Sequence, residues 1–216
     1  MSAAEQPATP STPGKAKAKA KTAAAGSARR AQLLQIAAEM FAERGYAQTT
    51  VRDIADAGGI LSGSLYHHFP SKEAMLTEML TSFLGGLEER FRAVIEASAG
   101  PRDALDGLIT EAFRSIDADR HAVALYQSEQ DYLADVAGFE FVAERGQRNE
   151  EIWLEVLEAG RKSGDFRQDL EVKMTYRFIR DAVWGTVRWY RPGGTIGWDT
   201  LAARYLDFLH GGLLRR

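Results

Sequence analysis

Apolar residues spaced three and four positions apart recur from Arg29 almost to the end of the chain, and this feature constrains the fold most strongly. Such spacing places apolar side chains on one face of an α-helix. Glycine and proline interrupt the pattern, and no alternation of apolar and polar residues between hairpin turns occurs. The sequence therefore predicts an all-α protein of about nine helices.

The composition excludes several classes of protein. The chain of 216 residues is 45% hydrophobic and 26% charged, as is ordinary for a globular protein. Because it contains no cysteine, it has no disulfide, no thiolate zinc site and no cysteine nucleophile. No apolar run approaches the roughly 18 residues of a membrane-spanning helix, and no secretory signal is recognisable. We expect a cytoplasmic protein with no membrane partner.

The charge is unevenly distributed. Residues 1–75 carry nine lysines and arginines against six acidic residues, whereas the whole chain has a net charge of −3. A basic end on an acidic body is typical of a protein that binds a polyphosphate at that end. Residues 1–26, with a Lys-Ala alternation, predict a disordered basic tail. This tail is either an arm that adds affinity for DNA or a solvated extension without a defined role.

Residues 27–71 predict three short helices. The first is amphipathic and ends at Gly45. Thr50 is expected to cap the second helix, with Asp53 three residues later as the acidic partner of a capping box. Two glycines separate this helix from a third, over residues 61–68. Three short helices with a glycine-bearing turn between the last two predict a helix-turn-helix DNA-binding domain.

The third predicted helix has small side chains, so its backbone can approach a DNA groove closely. We predict DNA contacts from seven residues, Thr50, Arg52, Ser62, Ser64, Tyr66, His67 and Lys72. Arg52 and Lys72 could instead be solvated surface charges, and Tyr66 is expected to share its ring between packing and a phosphate contact. His67 and His68 do not indicate a metal site, because adjacent helical side chains point about 100° apart.

Two runs of residues make this region recognisable. Residues 50–55 read Thr-Val-Arg-Asp-Ile-Ala, and residues 63–73 read Gly-Ser-Leu-Tyr-His-His-Phe-Pro-Ser-Lys-Glu. They resemble the N-terminal domain of TetR-family transcriptional regulators. The resemblance implies a long fourth helix and a larger helical domain, residues 72–216, that binds a ligand and dimerises. Leu61 and Ser62 differ from the Ser-Lys pair of many relatives, so base preference cannot be carried over.

Arg180 and Trp184 are the candidate ligand-binding residues of the larger domain. They lie four positions apart on a predicted helix and are therefore neighbours on its surface. An arginine beside an indole can hold an anionic group while the ring packs against an apolar skeleton. Alternatively, Arg180 pairs with an acid and Trp184 fills the core. Candidates for an apolar pocket wall, which core packing would also explain, are Met79, Phe83, Tyr126, Trp153 and Leu157.

Residues 176–181 and 189–194 are similar to one subgroup of the family, the actinobacterial repressors of late cholesterol catabolism. The resemblance implies release from DNA by an acyl-CoA, the CoA thioester of a bicyclic steroid-degradation intermediate, which Arg180 and Trp184 would engage. The alternatives are a repressor that senses a long-chain fatty acyl-CoA, a repressor that senses an apolar drug, and an architectural DNA-binding protein without a ligand.

The last predicted helix carries an apolar stripe, Leu201, Tyr205, Phe208 and Leu209. The resemblance implies that the last two helices form a homodimer interface as a four-helix bundle, and a two-fold dimer predicts a palindromic operator. The four histidines are scattered, and neither a catalytic triad nor a glycine-rich phosphate loop can be proposed. We therefore expect that the protein is not an enzyme and that it binds no metal and no cofactor other than the effector.

Overall fold

A computed structural model of the protein describes residues 13–133 and 136–213, with side chains described for residues 26–133 and 136–211. Within these residues the chain forms nine α-helices and no strands, which confirms the predicted fold class. No helix in this part of the chain is long and apolar enough to cross a membrane. The helices are α1 Pro13–Arg44, α2 Val51–Ala57, α3 Ser62–Leu65, α4 Lys72–Ala97, α5 Pro101–Ala118, α6 Arg120–Leu133, α7 Glu140–Ser163, α8 Val172–Gly185 and α9 Trp198–Leu213.

The first helix begins earlier than the sequence indicated. Helix α1 starts at Pro13, so residues 13–26, which we expected in a disordered tail, are helical. Alanine and lysine are strong helix formers, and proline is tolerated in the first turn of a helix. The lack of large apolar residues means that this segment has little apolar surface to bury, but it does not exclude a helix. Residues 1–12 of the predicted tail lie outside the described residues.

Helices α1 to α3 and the start of α4 form a small unit that we call the DNA-binding head. Phe41, Ile54, Leu65 and Phe69 are almost completely buried within it. Arg30 of α1 pairs with Glu78 of α4, and its guanidinium lies 4.2 Å from the centre of the Phe69 ring. These contacts join the head to the long helix that continues into the rest of the protein.

Helix α3 is a single turn, Ser62–Leu65, and residues 66–68 are turns rather than the predicted continuation of the helix. Glycine and serine have low helix propensity, and Pro70 disfavours a helical conformation just before it. Leu65 and Phe69, whose spacing of four residues predicts one apolar face of this helix, are nevertheless both buried. The apolar anchors therefore fix the position of the segment even though it is not a regular helix.

Helices α4 to α9 form the larger domain, in which α4 packs on α5 and α7, and α9 packs on α5. Helix α8 ends at Gly185 and a 3-10 turn follows to Arg188, so the regular helix is shorter than the helix over residues 172–190 that the sequence predicts. The Thr186 hydroxyl donates to the Val183 carbonyl at 2.7 Å, which satisfies a carbonyl group at the helix end. A side-chain hydrogen bond therefore helps to close the end of helix α8.

Candidate functional site

The start of α2 has the predicted capping box. The Thr50 hydroxyl accepts from the Asp53 backbone at 3.1 Å, and the Thr50 backbone N–H donates to Asp53 Oδ2 at 2.8 Å. The Thr50 side chain and backbone, by donating to this carboxylate, lower the pKa of Asp53 from its usual range. Thr50 is exposed, so a fixed helix N-terminus faces solvent, where it can hold a phosphate.

The surface of α3 is small and polar, as predicted. Ser62 and Ser64 are half-buried, and a side chain at the Gly63 position would meet nothing within 4 Å. Tyr66 and His67 are exposed next to them. This face therefore offers hydroxyl, phenol and imidazole groups beside a backbone that another molecule can approach.

Leu61 is a candidate DNA contact that the sequence reasoning missed. It occupies the N-cap position of α3 without a side-chain cap bond, and 80% of its surface is exposed. An exposed leucine at the end of a recognition segment can contact the methyl group of thymine in the major groove. The sequence signal for this contact is the departure from the usual Ser-Lys pair at residues 61 and 62. In the sequence alone, this departure indicated only that base preference cannot be carried over from the family.

Lys72 has a different environment from the one expected of a free phosphate-binding side chain. Its ammonium donates to the carbonyls of Tyr46 at 2.8 Å and Thr49 at 3.0 Å, and it lies 4.1 Å from the centre of the Tyr46 ring. Lys72 therefore holds the turn before α2 in place and has one donor left. Arg52 remains exposed, with a loose 3.7 Å pairing to Asp56.

A cavity of about 300 Å³ lies between α4, α6, α7 and α8, and we call it the ligand pocket. Arg180 and Trp184 both line it, as do Phe83, Tyr126 and Trp153 from the predicted wall. The other two candidates do not, because Leu157 is fully buried in the core and Met79 faces a different cleft. This volume is at the lower end of the range for small-molecule sites.

Arg180 is held at the pocket wall by its own helix. Its guanidinium is 2.8 Å from the Asp181 carboxylate and 5.9 Å from the centre of the Tyr176 ring. Burial, the largest single influence, lowers the pKa of Arg180, but the hydrogen bond to Asp181 and the nearby charges of Asp181, Tyr176 and Glu150 together raise the pKa above its ordinary value. The arginine therefore stays charged, and its pairing with an acid does not remove it from the pocket.

Asn149 is a pocket residue that sequence reasoning missed. Its amide nitrogen donates to the carbonyls of Leu84 at 3.3 Å and Arg145 at 3.1 Å, which fixes the orientation of the amide. Its Oδ1 atom is buried and has no hydrogen-bond partner within the described residues. A buried acceptor without a donor costs about 1–3 kcal/mol. Asn149 lines the ligand pocket, so a ligand with an N–H or O–H group that reaches Oδ1 would satisfy it.

Tyr126 enters the pocket because α7 has no side chain at position 146. A Cβ atom on Gly146 would lie 2.7 Å from the Tyr126 hydroxyl. Burial raises the pKa of Tyr126, so its hydroxyl stays protonated at neutral pH and can donate a hydrogen bond. Asp131 and Glu150 also line the pocket, so its charged residues are two carboxylates and one arginine.

The stripe predicted at the dimer interface is divided by the structure. Leu201, Tyr205 and Leu209 are half-buried against the core of their own chain, and Tyr205 lies 5.8 Å from Phe113 of α5 between ring centres. Phe208 is 79% exposed. Helix α8, the other helix expected at the interface, and the chain after it also expose large apolar side chains, Met174, Phe178, Trp189 and Ile196.

Comparison with known families identifies the class of protein to which this chain belongs. A family model described as "Bacterial regulatory proteins, tetR family" matches residues 33–79, and one described as "Tetracyclin repressor-like, C-terminal domain" matches residues 98–213. The chain belongs to the TetR family of bacterial transcriptional regulators. Members of this family are regulators rather than enzymes, in agreement with the prediction.

Over most of its length the chain is similar to named transcriptional repressors. It is 49% identical over 187 residues to the HTH-type transcriptional repressor KstR2 of Rhodococcus jostii RHA1, covering 87% of this chain and 92% of that protein. It is 46% identical to KstR2 of Mycobacterium tuberculosis, covering 87% and 94%. The structure of the ketosteroid transcriptional regulator KstR2 of M. tuberculosis matches with a TM-score of 0.85 at 46% identity, covering 87% of this chain and 96% of that one. The chain is accordingly a TetR-type transcriptional repressor.

Proposed function

We propose that this repressor binds a palindromic operator as a homodimer and leaves it when an acyl-CoA enters the ligand pocket. The proposed effector is the CoA thioester of a bicyclic steroid-degradation intermediate. The observation that carries the proposal is the convergence of Arg180, Trp184 and the unpartnered Asn149 acceptor on one cavity. Similarity to repressors described as ketosteroid regulators supports the steroid-derived acyl group.

The chemistry of the pocket fits the acyl end and thioester of such a ligand. Phe83, Trp153 and Trp184 supply aromatic surface for a ring skeleton. The Arg180 guanidinium and the Tyr126 hydroxyl can donate to carbonyl oxygens, whereas Asn149 Oδ1 can accept from an amide of the pantetheine arm. Asn149 Oδ1 would then have the hydrogen-bond partner that the described residues do not supply.

Helix α6 is the element through which the pocket can affect the DNA-binding head. Tyr126 and Gln127 line the pocket, and Glu129 on the same helix accepts from the Tyr46 backbone N–H at 3.4 Å. Tyr46 lies in the turn before α2 and its carbonyl accepts from Lys72. A ligand that displaces α6 would therefore change the position of the head and the spacing of the two recognition segments in a dimer.

Fluorescence anisotropy of a labelled palindrome from upstream of this protein's own gene tests the effector. The protein–DNA complex is titrated with the bicyclic CoA thioester, its free acid and palmitoyl-CoA. We expect release by the bicyclic thioester alone. Release by palmitoyl-CoA would favour a sensor of fatty acyl-CoA, and release by none of the three would contradict the proposed effector class.

Variants of the pocket test the site itself. Arg180→Met and Trp184→Leu should keep operator affinity and lose roughly tenfold or more in effector sensitivity, because both side chains line the ligand pocket and lie outside the DNA-binding head. Arg177→Met is the matched control, since Arg177 is exposed on the same helix and lines no cavity described here. If Arg180→Met abolished operator binding outright, the assignment of this pocket would be wrong.

The oligomeric state is tested on the exposed apolar surface. Phe178→Asp and Phe208→Asp should each convert a dimer to a monomer in light scattering, because a buried carboxylate at an apolar interface is costly. Tyr132→Asp is the control, since Tyr132 is also exposed but belongs to α6. A monomeric wild-type protein that binds the palindrome with unchanged affinity would refute the homodimer.

A further inference from the structure

Helix α1 extends well before the residues that attach it to the DNA-binding head. The helix is continuous from Pro13 to Arg44, and the contacts of its described side chains with the head begin at Arg29 and Arg30. We call residues 13–25 the basic arm, because they include four lysines, at positions 15, 17, 19 and 21, and no acidic residue. The arm lies before residue 33, where the family match in the head begins.

The arm joins the head beside the segment that is expected to enter the DNA groove. The Arg29 guanidinium donates to the Gly58 carbonyl, in the turn before α3. The Arg30 guanidinium donates to the His68 carbonyl, after α3, at 3.4 Å. These two carbonyls flank the recognition segment, residues 62–68. DNA bound at the recognition segment is therefore close to the point where the arm begins.

The arm is long enough to reach several phosphates of such DNA. An α-helix rises 1.5 Å per residue, so position 21 lies about 12 Å and position 15 about 21 Å along α1 from Arg29. Double-stranded DNA carries one phosphate charge per about 1.7 Å of its axis. A duplex at the recognition segment thus presents many phosphates within the length of the arm.

The composition of the arm fits a polyphosphate rather than an apolar partner. Its residues are lysine, alanine, threonine, glycine and proline, so it has no large apolar side chain to insert into a protein groove or a membrane. Positions 15 and 19, and positions 17 and 21, are four residues apart, and like charges at this spacing destabilise a helix. Phosphates would neutralise these charges and remove the repulsion.

The connection between the arm and the head allows the arm to change direction. Gly26 and Ser27 are exposed, and nothing lies within 4 Å of the place where a Cβ atom on Gly26 would be. Pairs of glycine and serine are common sites of helix bending. The arm can therefore follow a duplex without disturbing the Arg29 and Arg30 contacts that hold the rest of α1 on the head.

We propose that the basic arm binds the phosphate backbone of double-stranded DNA beside the recognition segment. This inference rests on DNA binding by the head, which is part of the proposed function, and adds a separate contact surface to it. Phosphate contacts carry no direct sequence information. The arm therefore raises the affinity for the operator and for any other duplex by a similar factor, and it leaves base preference unchanged.

The test measures the affinity of the full-length protein for the labelled palindrome and for an unrelated duplex of the same length, over a series of salt concentrations. The arm variant combines Lys15→Gln, Lys17→Gln, Lys19→Gln and Lys21→Gln, since glutamine and lysine have similar helix propensity. We expect both affinities to fall roughly tenfold or more at about 0.1 M salt. The slope of log affinity against log salt should fall by about 1 for each lysine that contacts a phosphate.

Two controls separate the position of the charge from its amount. Replacing the same four lysines with arginine keeps the charge and should keep the wild-type affinity and salt slope. Lys162→Gln combined with Lys173→Gln removes two charges from exposed positions of the larger domain and should leave both affinities nearly unchanged. Lys15→Gln combined with Lys19→Gln removes the same charge from the arm and should give about half of the full loss in log affinity.

The remaining outcomes would overturn one proposal or the other. If the wild type prefers the palindrome and the arm variant matches it in affinity and salt slope on both duplexes, the arm inference is wrong and the proposed function stands. If the wild type shows no preference for the palindrome, operator binding fails, whereas an equal loss by the arm variant on both duplexes still supports the arm. A loss on the palindrome alone would contradict sequence-independent contacts. Unchanged DNA affinity with lost binding to phosphatidylglycerol vesicles would assign the arm to a membrane surface.

Discussion

The DNA-binding head and the ligand pocket of this repressor are built in opposite ways. In the head, the candidate contacts come from about twenty consecutive residues, and the capping box at their start spans four residues. The pocket draws on four helices, and its wall combines Phe83 with Trp184 from about a hundred residues later. One site is therefore local and open to solvent, whereas the other exists only after the helices pack.

Because of this difference, the two sites should respond differently to substitution. Changes on the open face of the head should alter operator affinity without changing stability, because little packs against that face. Changes around the pocket should alter stability or effector response, because the residues there touch several helices.

Gly63→Leu should have the largest effect and should act on operator binding alone. The Gly63 position has open space around it in the free protein, so the leucine fits without strain. On DNA it would hold α3 away from the groove. We expect operator affinity to fall roughly tenfold to a hundredfold in anisotropy, the loss of one or two base contacts, with an unchanged melting temperature. Unaltered affinity would show that α3 does not approach the groove closely.

Gly160→Ala should affect the larger domain through its packing. A Cβ atom at Gly160 would lie 2.2 Å from the ring of Phe166, which is fully buried. We expect the free energy of unfolding in urea to fall by about 1–3 kcal/mol, as for other overpacked sites. Gly185→Ala is the control, because its Cβ would meet nothing within 4 Å. Equal stability of the two variants would contradict the close packing in this region.

Lys72→Met and Arg52→Gln distinguish a structural cation from a phosphate contact in the head. Lys72 supports the Tyr46 and Thr49 carbonyls, so Lys72→Met should weaken operator binding severalfold and lower stability by about 1 kcal/mol. Arg52 is exposed, so Arg52→Gln should leave stability unchanged and reduce the slope of log affinity against log salt by about 1. A salt slope that falls for Lys72→Met as well would show that its remaining donor contacts DNA.

The capping carboxylate should give the smallest effect, visible as a pH dependence. The pKa of Asp53 is lower in the folded protein than in the unfolded chain. Its stabilisation is therefore present above the unfolded pKa of about 4 and is lost as the pH falls through the folded pKa. Asp53→Asn should flatten this part of the curve of melting temperature against pH. An identical curve for both proteins would mean that the charge of Asp53 does not stabilise α2.

Much of the head could be predicted from sequence because its signals are short-range. Thr50 and Asp53 form the predicted capping box, and Leu65 and Phe69 are buried as their spacing indicated. Lys72 was less predictable, because its partners are backbone carbonyls more than twenty residues earlier. Leu61 was also missed as a contact, since only the structure shows that this leucine is exposed.

The pocket was only partly predictable for the opposite reason. Arg180 and Trp184 could be named because their spacing makes them neighbours on one helix, and a family resemblance gave them a role. Asn149 has no such signal in its own segment, because its unpartnered oxygen results from contacts with α4 and α7. Met79 and Leu157 are apolar, as a pocket wall requires, but neither residue lines the pocket, because of their positions on α4 and α7.

The sequence by itself determined the all-α fold, the helix-turn-helix and its caps, and the family to which the chain belongs. These features depend on apolar periodicity and on hydrogen bonds between residues three or four apart, which the order of residues specifies directly. Which side chains share a cavity depends instead on how the helices pack. Such neighbours are separated by tens of residues along the chain, and they meet only because helices α4, α6, α7 and α8 bury their apolar faces against one another.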